Sequence, residues 1–196
     1  MRAVILLFSI LLCACNGGDV DPQPDTIERP VFEINYRVVP AESALTFTAT
    51  QEGKTFEGAF SEFDAMIRFD ADVLDMSRVW VVVAIDSLDA GHTDRNSTAR
   101  TPAWLNVKDT PYGIFESETI RADGTGYVAD GRLTLRGTSL PFSLPFALQE
   151  TDGRAVMTAQ VPLERLRWGI GEEWNKGDYV GLIVTLDIRV VAERTD

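Results

Sequence analysis

Cysteine and histidine are almost absent from this chain. Cys13, Cys15 and His92 are their only representatives, and both cysteines fall at the very start. A zinc site draws three or four ligands from His, Cys and carboxylates. A lone histidine with no thiol in the body argues against a transition-metal centre, and no metal is assigned. With both cysteines at the start, an internal disulfide is excluded, so stability has to come from an apolar core. Covalent catalysis fares no better. Ser87 or Ser97 joins His92 and an aspartate only formally, because no nucleophile elbow surrounds either serine. Gly169-Ile170-Gly171 starts like a dinucleotide loop but lacks the third glycine and a strand–turn–helix setting. The pair Glu172-Glu173 reads as a solvated rim. No catalytic residue and no cofactor is assigned, and the chain is read as a non-enzyme.

Basic residues are scarce too. There are 18 Lys and Arg against 30 Asp and Glu, a net charge of −12. Such a surface repels polyanions, so nucleic acid is not an expected partner, and it gains little from anionic headgroups. Long apolar runs are also missing. The stretch Ala3 to Leu12 is shorter than the roughly 20 residues a spanning helix needs.

That stretch follows one positive charge, Arg2, and ends in small residues, the layout of a secretory signal. Leu12-Cys13-Ala14-Cys15 resembles the bacterial lipobox, in which the final cysteine takes a diacylglyceryl group and becomes the mature N-terminus. An uncleaved anchor and a plain signal with a coincidental cysteine stay open as alternatives. On the lipobox reading, residues 1–14 are a signal peptide and Cys15 is the lipid anchor. Loss of Arg2 then moves the net charge from −12 to −13. Each buried methylene contributes about 0.8 kcal/mol, so acyl chains rather than a basic patch would provide the hold on the membrane. The expected location is the cell envelope, facing the periplasm, with Asn16 beside the anchor favouring the outer membrane. Residues 15–30, rich in Gly, Pro and Asp, are expected to form a flexible tether. Residues 31–196 then make one domain.

From Ile34 onward the apolar pattern has period two, the mark of strands with one buried face. Leu45, Phe47 and Ala49 alternate with threonines; Phe56, Gly58 and Phe60 follow, then Ala65, Ile67 and Phe69. Leu140, Phe142, Leu144, Phe146 and Leu148 share one side of their strand. Val180, Leu182, Val184, Leu186, Ile188 and Val190 share one face of the last. Asp123-Gly124 and Asp152-Gly153 are hairpin turns. Pro141 and Pro145 remove two ladder donors, so their strand should sit beside a gap, a bulge or an edge. Only Thr93 to Leu105 looks helical, limited by Pro102. The expected fold is all-β: an elongated antiparallel β-barrel of about eight strands with a short helical cap.

The order of residues between Leu45 and Val191 carries a family resemblance. Phe47-x-Ala49 leads to Gln51-x-Gly53 and Phe56-x-Gly58-x-Phe60-x-x-Phe63. Ile67-x-Phe69-Asp70 follows, then Ile85-Asp86-Ser87-Leu88-Asp89-Ala90-Gly91. Next come Asp94-Arg95-Asn96, Trp104-Leu105-x-Val107 and Pro111-x-x-x-Phe115-x-Ser117. Gly131-x-Leu133-Thr134-Leu135-Arg136-Gly137-Thr138 precedes Arg165-x-x-Trp168-Gly169-Ile170-Gly171. In this order the chain resembles the YceI-like family, bacterial envelope proteins with a lipocalin-like antiparallel barrel. Members with a known ligand hold a long isoprenoid chain of the quinone or polyprenyl phosphate type. The resemblance therefore implies polyisoprenoid binding. One departure is Thr50-Gln51, where many relatives carry a histidine.

The residues expected to line such a site are Phe47, Phe56, Phe60, Phe115, Leu133, Leu135, Phe142, Phe146, Leu182, Val184 and Leu186. Trp104 in the cap, Trp168 over one end and Arg165 near the glycine turn complete the set. Gly58 and Gly131, at inward positions, are expected to leave room for a ligand. A barrel of eight strands is at the threshold between a filled interior and one small ligand. The alternative is therefore a filled barrel acting as an envelope stress or interaction protein. A pyrophosphate head would enter an acidic protein against the field unless a local cation offsets it. Arg165 and Arg167, then Arg132 and Arg136, are the candidates. A neutral quinone head meets no such penalty and is favoured. The expected partners are an isoprenoid or other long-chain lipid and, through acylated Cys15, the membrane. Oligomeric state is not specified.

Overall fold

Alternating sequence becomes strand almost throughout. The computed structural model describes residues 27–195. The expected signal peptide, the anchor Cys15 and most of the expected tether lie outside these residues. The strands are β1 (Tyr36–Val38), β2 (Ala44–Gln51), β3 (Lys54–Phe60), β4 (Phe63–Arg68), β5 (Arg78–Ala84) and β6 (Leu88–Asp89). After helix α1 (Thr93–Arg100) come β7 (Tyr112–Asp123), β8 (Gly126–Leu135), β9 (Thr138–Thr151), β10 (Arg154–Glu164) and β11 (Ile183–Arg194).

Bends divide three longer strands. β1 runs into β2, β3 into β4 across Ser61 and Glu62, and β5 into β6 through a 3-10 turn at Ile85–Ser87. The result is a closed antiparallel barrel of 8 strands. Closure falls to β11. One of its edges pairs with all of β10, and the other is shared by β2, from Ala44 to Thr48, and β1, from Tyr36 to Val38. Tyr36 in turn pairs with Ile67 of β4. Tight turns support the meander. Glu52-Gly53, Arg136-Gly137 and Asp152-Gly153 all hold positive φ at both positions, as type I′ hairpin turns require.

The expected interruption beside Pro141 and Pro145 is a gap. β9 pairs with β8 from Thr138 to Phe146, but with β10 only from Ala147 to Thr151. The helix is shorter than the helical stretch expected from the sequence and ends before Pro102. The chain ahead of β1 is also ordered, further upstream than the expected tether boundary. The Asn35 side chain donates to the Phe69 carbonyl at 2.8 Å and accepts from the Phe69 amide at 2.9 Å. Arg29 pairs with Asp64 at 3.2 Å and lies 5.7 Å over Trp80.

Tyr36 sits where the barrel closes, 2% exposed, with Arg194 over its ring at 5.6 Å. Its hydroxyl is buried without a hydrogen-bond partner. Burial, and then the nearby Glu150 carboxylate, push its pKa from 10.0 up to about 12. The unfolded chain loses this proton near pH 10 while the folded chain keeps it. The stability tied to Tyr36 is therefore complete below pH 10 and lost as the pH rises to about 12. Tyr36→Phe removes an unpaired buried hydroxyl, which costs nothing or stabilises. Thermal melts should show Tyr36→Phe at or above wild type at pH 7 and less sensitive to alkali. A clear loss of Tm at pH 7 would show that the hydroxyl has a partner.

Candidate functional site

Inward positions of all the barrel strands face one space, a cavity of about 750 Å³. Its far end is aromatic: Phe69 meets Tyr127 edge-on at 5.0 Å, and Tyr127 stacks on Phe146 at 5.5 Å. Its wall is hydrocarbon, from Ile67, Val79 and Val81 round to Leu186 and Ile188. The room comes from alanines. Ala49, Ala65, Ala129, Ala155 and Ala192 all line the cavity.

The two glycines expected to supply that room do other work. A Cβ on Gly58 would lie 2.2 Å from the Phe47 ring, so Phe47 fills the space that Gly58 leaves. A Cβ on Gly131 would meet the Glu116 carbonyl at 2.1 Å, beside the register shift between Ser117 and Thr119. Gly131 allows two strands to approach.

Polar groups gather at one end. Gln51 and Glu52 come from the β2–β3 turn, His92, Asp94, Arg95 and Thr98 from the start of α1, and Tyr179 from the β10–β11 connection. Gln51 Nε2 donates to the Tyr179 hydroxyl at 3.2 Å, and the Glu52 amide donates to the Tyr179 carbonyl at 2.7 Å. Arg95 lies 4.4 Å over the Phe56 ring and donates to the Ala90 carbonyl at 2.8 Å. His92 caps α1, its Nδ1 accepting the Asp94 amide at 3.2 Å. Ser87 is committed to structure as well: its hydroxyl donates to the Ala84 carbonyl at 2.7 Å and accepts the Glu62 amide at 3.1 Å.

The expected lining residues Phe47, Phe56, Phe60, Trp104, Phe115, Leu133, Leu135, Phe142, Phe146, Arg165, Val184 and Leu186 meet around this cavity. Two expected members do not. Leu182 precedes β11 and is 37% exposed. It lies next to Gly177, outside the wall, because strand alternation begins only after it. Trp168 is 2% exposed and packs at the cap end against the lining residues Leu133, Phe142 and Leu163, donating to the Leu133 carbonyl at 3.1 Å. The mouth itself has no signature along the chain. Gln51, Arg95, His92 and Tyr179 come from three separate connections, and no spacing along the chain unites them.

Arg165 is 1% exposed and has no carboxylate partner among the described residues. It donates instead to backbone carbonyls: Gly181 at 2.9 Å, Ile170 at 2.6 Å, Gly171 at 2.8 Å, Val180 at 3.0 Å, and Trp174. Its guanidinium also lies 5.4 Å over Trp104, which packs on Trp174 at 5.3 Å. Burial lowers its pKa, yet an arginine stays charged. Arg165 is the knot that ties the cap together. The other candidate cations lie off the cavity. Arg167 sits over Trp168 at 5.3 Å, Arg132 bonds Ser139, and Arg136 bonds the Pro102 and Gly169 carbonyls.

A closed antiparallel barrel with an apolar cavity and a polar mouth has a lipocalin-like build. Comparison with known proteins places it more narrowly. A family model described as the YceI-like domain matches residues 36–192, and the chain belongs to that family. It is similar to a UPF0312 protein of Yersinia pestis, 36% identical over 87 residues, which are 44% of this chain and 45% of that one. A UPF0312 protein of Pectobacterium atrosepticum is 33% identical over the same length. The chain thus spans about half the length of the curated relatives it matches. The crystal structure of Burkholderia cenocepacia BcnA superposes with a TM-score of 0.74 at 24% identity, covering 79% of this chain and 98% of that one. A polyisoprenoid binding domain from Saccharophagus degradans, implicated in plant cell wall breakdown, gives 0.63 at 14% identity, covering 83% and 100%. These likenesses confirm the barrel.

Arg165→Met leaves several buried carbonyls without donors, at a cost on the order of 3 kcal/mol or more. Denaturant unfolding should show that loss, with faster amide exchange across residues 165–182. Arg165→Lys should recover only part of it, because one ammonium replaces a five-donor fork. Full recovery by lysine would show that charge alone matters here.

Proposed function

We propose that this protein holds the tail of a long-chain, isoprenoid-type amphiphile inside its barrel and performs no covalent chemistry on it. The cavity carries the argument. A void of about 750 Å³, apolar everywhere but the mouth, is what such a tail needs. It falls within the roughly 300–1,000 Å³ of small-molecule sites. At about 30 Å³ for each water-sized group, it takes on the order of 25 methylene-sized groups. That room also weighs against the filled-barrel alternative, which requires a solid interior. The polyisoprenoid binding described for the Saccharophagus degradans domain supports the same ligand class.

The headgroup is chosen by charge. Moving a prenyl tail from bilayer to barrel yields little hydrophobic gain, since it is out of water in both. The head then decides. On the cavity wall the cations are Arg95 and Arg165, against the carboxylates of Glu52 and Asp94. Arg165 has committed its donors to backbone carbonyls. The mouth therefore has little positive charge to offer a pyrophosphate in a chain of net charge −12. A neutral, quinone-like head is preferred. Cys15, read as a lipid anchor, would keep the barrel in the envelope beside the membrane that supplies the ligand.

Native mass spectrometry of protein purified from membranes should find a bound prenyl lipid with a neutral head. Mainly polyprenyl phosphates among the extracted lipids would overturn the headgroup preference. Ala65→Trp fills part of the cavity and Phe142→Asp puts a charge into it. Both should lose the retained lipid while keeping the β-sheet circular dichroism signal, and lipid retained by both would sink the cavity as its site.

A further inference from the structure

The barrel wall has one long interruption. Between the cap and the pair Ala147↔Thr158, β9 and β10 run side by side without a ladder. Backbone direction explains why. The Arg165 amide bonds the Leu182 carbonyl at 3.1 Å, in step with the β10–β11 register. Residues 161 and 163 therefore also turn their amides toward β11, and 160, 162 and 164 turn theirs toward β9. On β9 the Phe146 carbonyl lies against Gly126 of β8. The Pro141 carbonyl points the other way and accepts from Arg167 at 3.4 Å. Residues 139, 141, 143 and 145 thus face the seam. Pro141 and Pro145 on one lip and Pro162 on the other have no N–H to give it.

Side chains close what the backbone leaves open. Leu144 of β9 and Val161 of β10 belong to one core cluster. Above them Trp168 packs between Leu140 and Phe142 of β9 and Leu163 of β10. Its ring centre is 6.3 Å from that of Phe142, and Arg167 covers its outer face. Opening the seam separates packed side chains without breaking a backbone ladder. Below the Ala147↔Thr158 pair the β9–β10 ladder resumes, so opening is confined to the stretch above it.

We propose that the β9–β10 seam is a lateral portal for the ligand's apolar tail, with Trp168 as its plug. The portal rests on the proposed function. An amphiphile entering end-on must drag its full tail past the polar mouth. Through a side seam, the tail swings inward while its head stays at the rim formed by Gln51, Arg95 and Tyr179. The prolines keep the lips from zipping to each other, and from pairing with a foreign strand.

The test uses the full chain, a geranylgeranyl chain carrying a small neutral fluorophore as probe, and phosphatidylcholine vesicles as acceptor. Replacing all three seam prolines (Pro141→Val, Pro145→Val, Pro162→Val) restores the missing donors. Probe release should slow by about tenfold or more, the scale of a single net backbone hydrogen bond, with little change in affinity. Trp168→Ala should speed release. Amide exchange reads the seam without any ligand: Ser139, Ser143, Gln160 and Glu164 should exchange much faster than Leu140, Leu144 and Val161. Equal protection at the two sets, or release rates unchanged in both variants, overturns the portal. Should the triple variant not fold, Pro145→Val alone and Trp168→Ala give the same reading. A wild-type protein that takes up no probe refutes the ligand reading instead, and amide exchange still decides the seam.

Discussion

Ring closure is the constraint on which everything else depends. β11 must pair with β10 along one edge and divide the other between β2 and β1, and Tyr36 must also reach Ile67. With the ring closed, alternate residues of its strands face a single interior. A slip of one residue in any of these pairings would turn an apolar face to water. The aromatic end, the hydrocarbon wall and the polar mouth all follow from that one register. The bends in the first three barrel strands let the sheet curl tightly enough to close while remaining antiparallel throughout.

Within the closed ring, space is allotted by side-chain size. Alanines line the void, whereas at Gly58 a neighbouring ring moves in and at Gly131 a neighbouring strand does. The cap is organised by one buried cation. In a strongly acidic chain, Arg165 pairs with no carboxylate among the described residues and gathers five backbone carbonyls from the two ends of the β10–β11 connection. Holding such a charge away from water is costly unless its donors are all met, which they are. The same commitment leaves the mouth poor in free positive charge. The structural role of Arg165 thus bears directly on which headgroup the site favours.

Much of the barrel was legible along the chain. The alternation at Leu45, Phe47 and Ala49, and from Leu140 to Leu148, identified strands and their inward faces, because a pleated strand repeats every two residues. Pro141 and Pro145 announced a missing ladder, because a residue without N–H cannot donate whichever strand lies beside it. Leu182 lies off the cavity, and Trp168 packs on its lining at the cap end. Leu182 shares the parity of the last strand but lies just before it, where alternation does not yet hold. Trp168 belongs to the family's glycine turn pattern, and nothing in that pattern says which side chains its ring will pack on. Glu52-Gly53 and Arg136-Gly137 are turns as tight as Asp152-Gly153, yet glutamate and arginine seldom take positive φ, so neither pair signals a turn as aspartate–glycine does.

By itself, the sequence determined the class of fold, the inward faces of β2, β3, β4, β9 and β11, and the strand that could not donate. These are local properties, carried by residue type and spacing. The tertiary structure alone decided whether the interior would be filled, because that depends on how side chains from opposite walls meet. It alone assembled a mouth from Gln51, Arg95 and Tyr179, and made Arg165 a clamp on the backbone. Contacts between residues far apart in the chain exist only once the ring is closed.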